Sequence, residues 1–323
     1  MKRPGLVLAL LVPISLLVGL WAGPVTLSPL ELWDGLVHPY ANSTAIIREL
    51  RLPRVLLAFL VGGSLSVVGA SLQALVRNPL ADPYLLGLSG GAGLGAVIAI
   101  AINPNWPWAV PAAAFAGATG AIALVYRLSV VSGRRLDPRV LLLAGVVVGS
   151  FAGAIMTTVA SLSEATELKR AFLWLLGGFG AASWSTLTVF AAYAALPVLV
   201  LLLSGRTLDL LALGEESAKH LGAEVERNKR VIYIATSLLT AASVAVCGMV
   251  GFVGLVVPHA ARRLWTPVHR ELLPVVFLLG GAFLVLADGL ARTVVRPLEL
   301  PVGAVTAIVG VPLFAILLRR NYT

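Results

Sequence analysis

The sequence predicts an all-α polytopic membrane protein of about ten transmembrane helices, organised as one domain over residues 1–323 with both termini cytoplasmic. Three observations carry this. Hydrophobic residues make up 59% of the chain and charged residues 12%, about half the charged share of a soluble domain. Apolar runs near the roughly 20 residues needed to cross about 30 Å of hydrocarbon follow one another, separated by short polar joints. Lysine and arginine gather on alternate joints.

Taken in order, Lys2 and Arg3 precede an apolar run over 6–21. A basic start and an apolar core also fit a signal peptide. The length of the run, and the lack of a small-x-small site after it, favour a retained first span. Residues 23–50 then form an outer loop. The second span covers 55–75, just after Arg48, Arg51 and Arg54. One arginine at a bilayer centre costs about 2.5–3.5 kcal/mol on the insertion scale, so three together belong at an interface. Further spans are expected at 84–102, 108–128, 139–160, 186–203, 230–250, 252–265, 272–291 and 303–318, the eighth of the ten being short. With the N-terminus inside, 17 of the 24 Lys and Arg lie on inner joints and 7 on outer ones, as the positive-inside rule requires. The net charge of +9 therefore sets orientation and is no nucleic-acid footprint. A single cysteine, Cys247, excludes an intrachain disulfide framework.

Gly87, Gly91 and Gly95 recur every four residues, as do Gly145, Gly149 and Gly153. Such edges let helix backbones approach closely in lipid. Pro79, Pro83, Pro258 and Pro312 are expected to break or bend helices near their ends. The polar stretch 206–230 is an island between two apolar runs. Within it, 212–222 reads ALGEESAKHLG. Leu210, Leu213, Ala218 and Leu221 recur at three- and four-residue steps, so they are expected to share one side of a short amphipathic helix. On the inner face, that helix is either a solvated connector or a docking surface for a cytoplasmic partner.

No catalytic constellation is present. None of the four lysines follows a glycine, which excludes a P-loop. Leu88-Ser89-Gly90-Gly91-Ala92 looks like the ABC ATPase signature, but it opens an apolar span and reads as helix packing. The four histidines show no metal-ligand spacing. Apart from Asp288 near an outer end, acidic residues are missing from the spans. That argues against an ion-coupled secondary carrier, which stays as the alternative, and for energy supplied from outside the chain.

Five stretches resemble the permease subunits of FecCD/cobalamin-type ABC importers. They are RLPRVLLAFLVGGSLSVVGASLQALVRNPLADPYLLGLSGGAGLGA (51–96), FLWLLGGFGAASW (172–184), LALGEESAKHLG (211–222), GFVGLVVPHAARRL (251–264) and LADGLARTVVRPLELPVGAVTAIVGVPLF (286–314). The resemblance covers nearly the whole chain after the first span. It implies an ABC type II importer permease in the cytoplasmic (inner) membrane, working by alternating access at the interface of a homodimer or close heterodimer. It implies two ABC ATPase subunits below, which carry the ATP and Mg, and a periplasmic or lipid-anchored binding protein above. It implies no cofactor or metal on this chain.

By the same resemblance, Leu213, Gly214, Glu215, Glu216, Lys219, His220, Leu221 and Gly222 form the coupling helix. Leu213 and Leu221 would anchor in a groove of the ATPase, with Glu215, Glu216 and Lys219 as a charged rim. Arg51, Arg54 and Arg292 match positions that meet acidic residues of the binding protein; interfacial anchoring is the plainer reading. Asn78 and Leu80 match one cytoplasmic gate region, and Leu136 with Asp137 the other, although Asn78-Pro79 also simply ends a helix. Met156 and Thr157 are candidates for the path, on the fifth span's face away from Gly145, Gly149 and Gly153. The cargo class is a large metal chelate: a ferric siderophore, haem or cobalamin. Gly177-Gly178-Phe179-Gly180 looks like the cobalamin permeases, while the number of iron-chelate importers puts iron chelates first.

Overall fold

A computed structural model of the chain describes residues 4–38, 44–102, 106–131 and 135–319. In order, the helices are α1 (Pro4–Trp21), α2 (Pro29–Val37), α3 (Leu52–Val76), α4 (Leu88–Ile102), α5 (Ala109–Ser129), α6 (Pro138–Ser161) and α7 (Ala165–Leu175). They continue with α8 (Trp184–Leu203), α9 (Gly205–Ala212), α10 (Glu215–His220), α11 (Val225–Cys247), α12 (Val253–Leu264), α13 (His269–Ala291) and α14 (Val302–Arg319). A two-residue antiparallel ladder pairs β1 (Val130–Val131) with β2 (Arg135–Leu136) just before α6. Lys2, Arg3, Arg134 and Arg320, counted above for orientation, lie outside the described residues.

Ten helices take the places of the ten expected spans. Among the described residues, six are long and apolar enough to cross a membrane: α5, α6, α8, α11, α13 and α3 with the π-helical turn Ala45–Arg51 that feeds it. Helices α1, α4 and α14 contribute shorter apolar segments. Helix α12, with 12 residues, reaches only about 18 Å at 1.5 Å per residue, so it covers part of the membrane thickness. Two helices fall where only outer joints were expected. Ser28 and Glu31 bond each other's backbone N–H at the start of α2, and Glu164 and Glu167 do the same at the start of α7, the reciprocal pattern of a capping box.

Burial separates core helices from peripheral ones. The most apolar window of the α3 segment is 83% buried, that of α11 72% and that of α13 67%, against 28% for each of α5, α6 and α8. Helix α3 is apolar on all sides, as a central helix must be. Its small residues let neighbours approach to backbone contact: Gly62 lies against Gly280 of α13, and Gly69 against Gly254 of α12. The expected glycine edges divide between two partners. Gly91 and Gly95 of α4 meet α5 at Gly117 and Ala113, whereas Gly87 and Gly90 meet Gly145 and Gly149 of α6. Gly153 faces open space.

Irregular backbone between α11 and α12 leads directly into Gly254, which lies against Leu65 and Gly69 of α3. Such backbone survives at membrane depth only where protein satisfies its polar groups. The Tyr84 hydroxyl donates to the Val250 carbonyl and accepts from its N–H. Gly178 N–H donates to Cys247 O, and the first amides of α14, at Val302 and Gly303, donate to Gly177 O and Leu176 O. Three loops thus complete one another's hydrogen bonding.

Candidate coupling and docking sites

On the inner face, the expected single helix over 212–222 is two helices. Gly214 takes φ 110°, a conformation that side chains rarely adopt, and this breaks the chain between α9 and α10. The break changes which side chains share a side. Leu210 is half-buried and Ala218 fully buried, while Leu213 and Leu221 are 66% and 60% exposed. The two leucines remain available to a partner, but they do not continue the face that holds Leu210 and Ala218. Glu216, Lys219, His220 and Gly222 are exposed.

Glu215, expected as a rim charge, turns inward to Lys229 of α11. The Lys229 side chain is 2% exposed. Its Nζ lies 2.6 Å from Leu136 O, 3.0 Å from Glu215 Oε1 and 2.8 Å from Glu226 Oε1. Glu226 Oε2 in turn accepts from the Leu136 N–H at 3.0 Å. Both backbone polar groups of Leu136 are therefore held by α11. Leu136 is buried, and the next residue, Asp137, caps α6 by accepting from Arg139 N–H at 2.8 Å. A cavity of about 920 Å³ opens beside the Glu215–Lys229 pair, lined also by Arg77, Asp137, Arg139 and Lys219. A second brace lies behind α9. Asp209 accepts from the His269 backbone N–H at 2.8 Å and contacts its Nδ1 at 2.7 Å, capping α13 from another helix.

The other expected gate residues divide. Asn78 ends α3: its N–H bonds Gln73 O, and its side chain accepts from Leu80 N–H at 2.9 Å, while Arg77 before it is left-handed. Leu80 is exposed. Met156 packs on α4 near Gly93, so it does not share the open face of α6. Thr157 does, on the side that carries exposed Leu143, Val147 and Phe151.

At the outer end, the three arginines are engaged within the chain. Arg51 is 4% exposed and donates to the carbonyls of Leu20, Trp21 and Val25. Arg292 is 2% exposed and donates to Gly19 O and Ala22 O. Together they satisfy the last carbonyls of α1, groups that no helix can pair by itself. Buried Asp288 pairs with Arg54 at 2.8 Å and with Arg292 at 2.9 Å, and Arg54 also reaches Glu299 at 2.9 Å. Arg51, Arg54 and Arg292, expected to meet acidic residues of a binding protein, thus already answer oxygens of their own chain. They still line an outer cavity of about 260 Å³, with Phe179 and Glu299.

Reading the sequence missed Lys229, Glu226 and Asp209. The only local sign was Glu226 three residues before Lys229, a helix-pairing distance. Glu215, Leu136 and His269 come from other elements and left no sign.

Long apolar helices packed around α3 define a multi-pass helical membrane protein. The chain matches the FecCD transport family over residues 10–320, and it belongs to that family. It is 43% identical over 283 residues to YvrB, an ABC transporter permease of Bacillus subtilis, covering 86% of this chain and 80% of that one. It is 42% identical over 301 residues to the cobalamin import permease BtuC of Halobacterium salinarum, covering 89% and 79%. A solved metal-chelate type ABC transporter, in an inward-facing conformation, superimposes with a TM-score of 0.86 at 31% identity over 97% of each chain. The protein is a multi-pass inner-membrane permease subunit of an ABC importer.

Proposed function

We propose that two copies of this chain enclose a path for a large metal chelate, with cobalamin ahead of iron chelates. This reverses the order expected from the sequence. The observation that carries it is the 42% identity, over 89% of the chain, to a permease of cobalamin import. The exposed apolar stripe of α6 supplies a smooth wall, and without an intramembrane polar site the chelate would be chosen largely by a binding protein. Segment 212–222 docks a partner ATPase carrying ATP and Mg, with Leu213 and Leu221 as apolar anchors and Glu216, Lys219 and His220 as the rim. The cationic outer cavity receives an acidic side chain of the binding protein at the partly exposed edge of Arg54.

Uptake into proteoliposomes holding the chain with its ATPase and binding protein tests this reading. ATP-dependent accumulation of cyanocobalamin over haem and ferric siderophores is expected. ATP-dependent accumulation of an iron chelate in its place refutes the cargo. Accumulation driven by an ion gradient in the permease alone refutes the importer reading. For docking, Glu216→Lys is expected to weaken ATPase binding at least tenfold, and unchanged affinity overturns that assignment.

A further inference from the structure

Three elements meet at one ammonium group. Lys229 has three N–H donors, and three oxygens surround it: Glu215 from α10, Leu136 O from β2, and Glu226 from its own helix α11. The Lys229 and Glu226 side chains between them hold the carbonyl and the amide of Leu136, one residue before the cap of α6. A displacement of α10 therefore cannot leave Leu136 in place without pulling a buried charge from its partners, which is costly in a low-dielectric site. The 920 Å³ cavity opens on this same side of α10, lined by Glu215, Leu136 and Lys229 with Arg77 and Arg139, so α10 has room to move against the loop before α6.

We propose that Lys229 is the positioning residue that transmits displacement of the Glu215–His220 helix to the Leu136 peptide, and through Asp137 to the start of α6. The proposal rests on the reading that segment 212–222 docks an ATPase. Lys229 is buried among protein oxygens, away from solvent. Its role is to make the helix under the ATPase and the gate loop move as one body. Arginine is a poor replacement, because a planar fork does not reproduce a three-donor point.

The test uses the assembled complex in proteoliposomes, with buried Cys247 replaced by alanine and spin labels on Leu128→Cys, at the exposed inner end of α5, and Arg139→Cys, at the start of α6. In the parent, ATP with vanadate is expected to shift the 128–139 distance. In Lys229→Met, at ATPase affinity within twofold of the parent, the shift is expected to fall to less than half. Lys229→Arg should recover part of it. A full shift in Lys229→Met overturns the proposal, as does no shift in the parent, since nothing is then transmitted. Should Lys229→Met not assemble, Glu215→Leu removes the acceptor on α10 and leaves Lys229 on Leu136 and Glu226. A full shift in that variant overturns the proposal equally. The docking reading fails separately, through an ATPase affinity that Glu216→Lys does not change.

Discussion

Substituting alanine at Gly69 tests a backbone-to-backbone helix contact in the core, and the structure gives its size. A Cβ there would stand 1.9 Å from the carbonyl oxygen of Gly254, where ordinary contact begins at 3.4 Å. Helix α12 must therefore retreat by roughly 1.5 Å. Overpacking of this kind costs about 1–3 kcal/mol. The retreat also stretches the bond from Gln73 Nε2 to Gly254 O, now 3.2 Å, past hydrogen-bonding range, for about another 1 kcal/mol. Alanine favours a helix over glycine by about 0.8–1 kcal/mol, which obscures the result in a single variant. Gly120→Ala removes that ambiguity. Gly120 lies exposed in α5 with nothing within 4 Å of its added Cβ, so only the propensity gain remains. The propensity terms cancel between the two variants, leaving Gly69→Ala less stable than Gly120→Ala by about 2–4 kcal/mol. Reversible unfolding in mixed micelles, followed by circular dichroism, measures that difference. Two variants within 0.5 kcal/mol of each other would refute the reasoning, because α12 would then be loosely seated.

Acid and charge give two further expectations. Burial pushes the Asp82 carboxyl up to about 6 from 3.8, against the Tyr84 N–H bond that lowers it. The folded chain then holds a proton that the unfolded chain has released, so this group's favourable contribution is complete below pH 3.8 and lost as pH rises through 6. Asp82→Asn keeps an acceptor for Tyr84 N–H and should flatten the pH dependence of stability between pH 4 and 7 by up to about 3 kcal/mol; an unchanged slope in melting experiments contradicts it. At the outer end, Asp288→Ala strands two guanidinium groups and should cost about 3–5 kcal/mol. Glu299→Ala, at a carboxylate 37% exposed, should cost under about 1 kcal/mol. Equal losses from the two would show that Asp288 is no hub.

What the sequence disclosed follows from the range of each interaction. Apolar runs and the placement of Lys and Arg are properties of single segments, so spans and orientation were legible. The starts of α2 and α7 carried a local sign that was missed, Ser28 with Glu31 and Glu164 with Glu167 standing three residues apart. The side assignment over 210–221 failed because it assumed an unbroken helix, and the clue was Gly214. The partners of the arginines were not legible at all. Arg292 meets Gly19 across 273 residues, and no local pattern encodes which carbonyls a guanidinium will meet. Asp82 left no local sign, because its burial depends on neighbours outside its own loop: Gln73 of α3 bonds Ala81 O beside it, and Gly254 of α12 lies against Pro83.

The arginine-capped end of α1 bears on how the chain can be cut. Without residues 4–22, Arg51 and Arg292 would face each other across an emptied slot, losing four of their five bonds to the carbonyls of residues 19–25 and keeping the one to Val25. Two like charges left there would repel and draw in water, at the site that also holds Asp288. The first helix is thus less an anchor than a plug, and a version of the protein trimmed to its conspicuous spans should assemble with a hydrated, unstable outer rim.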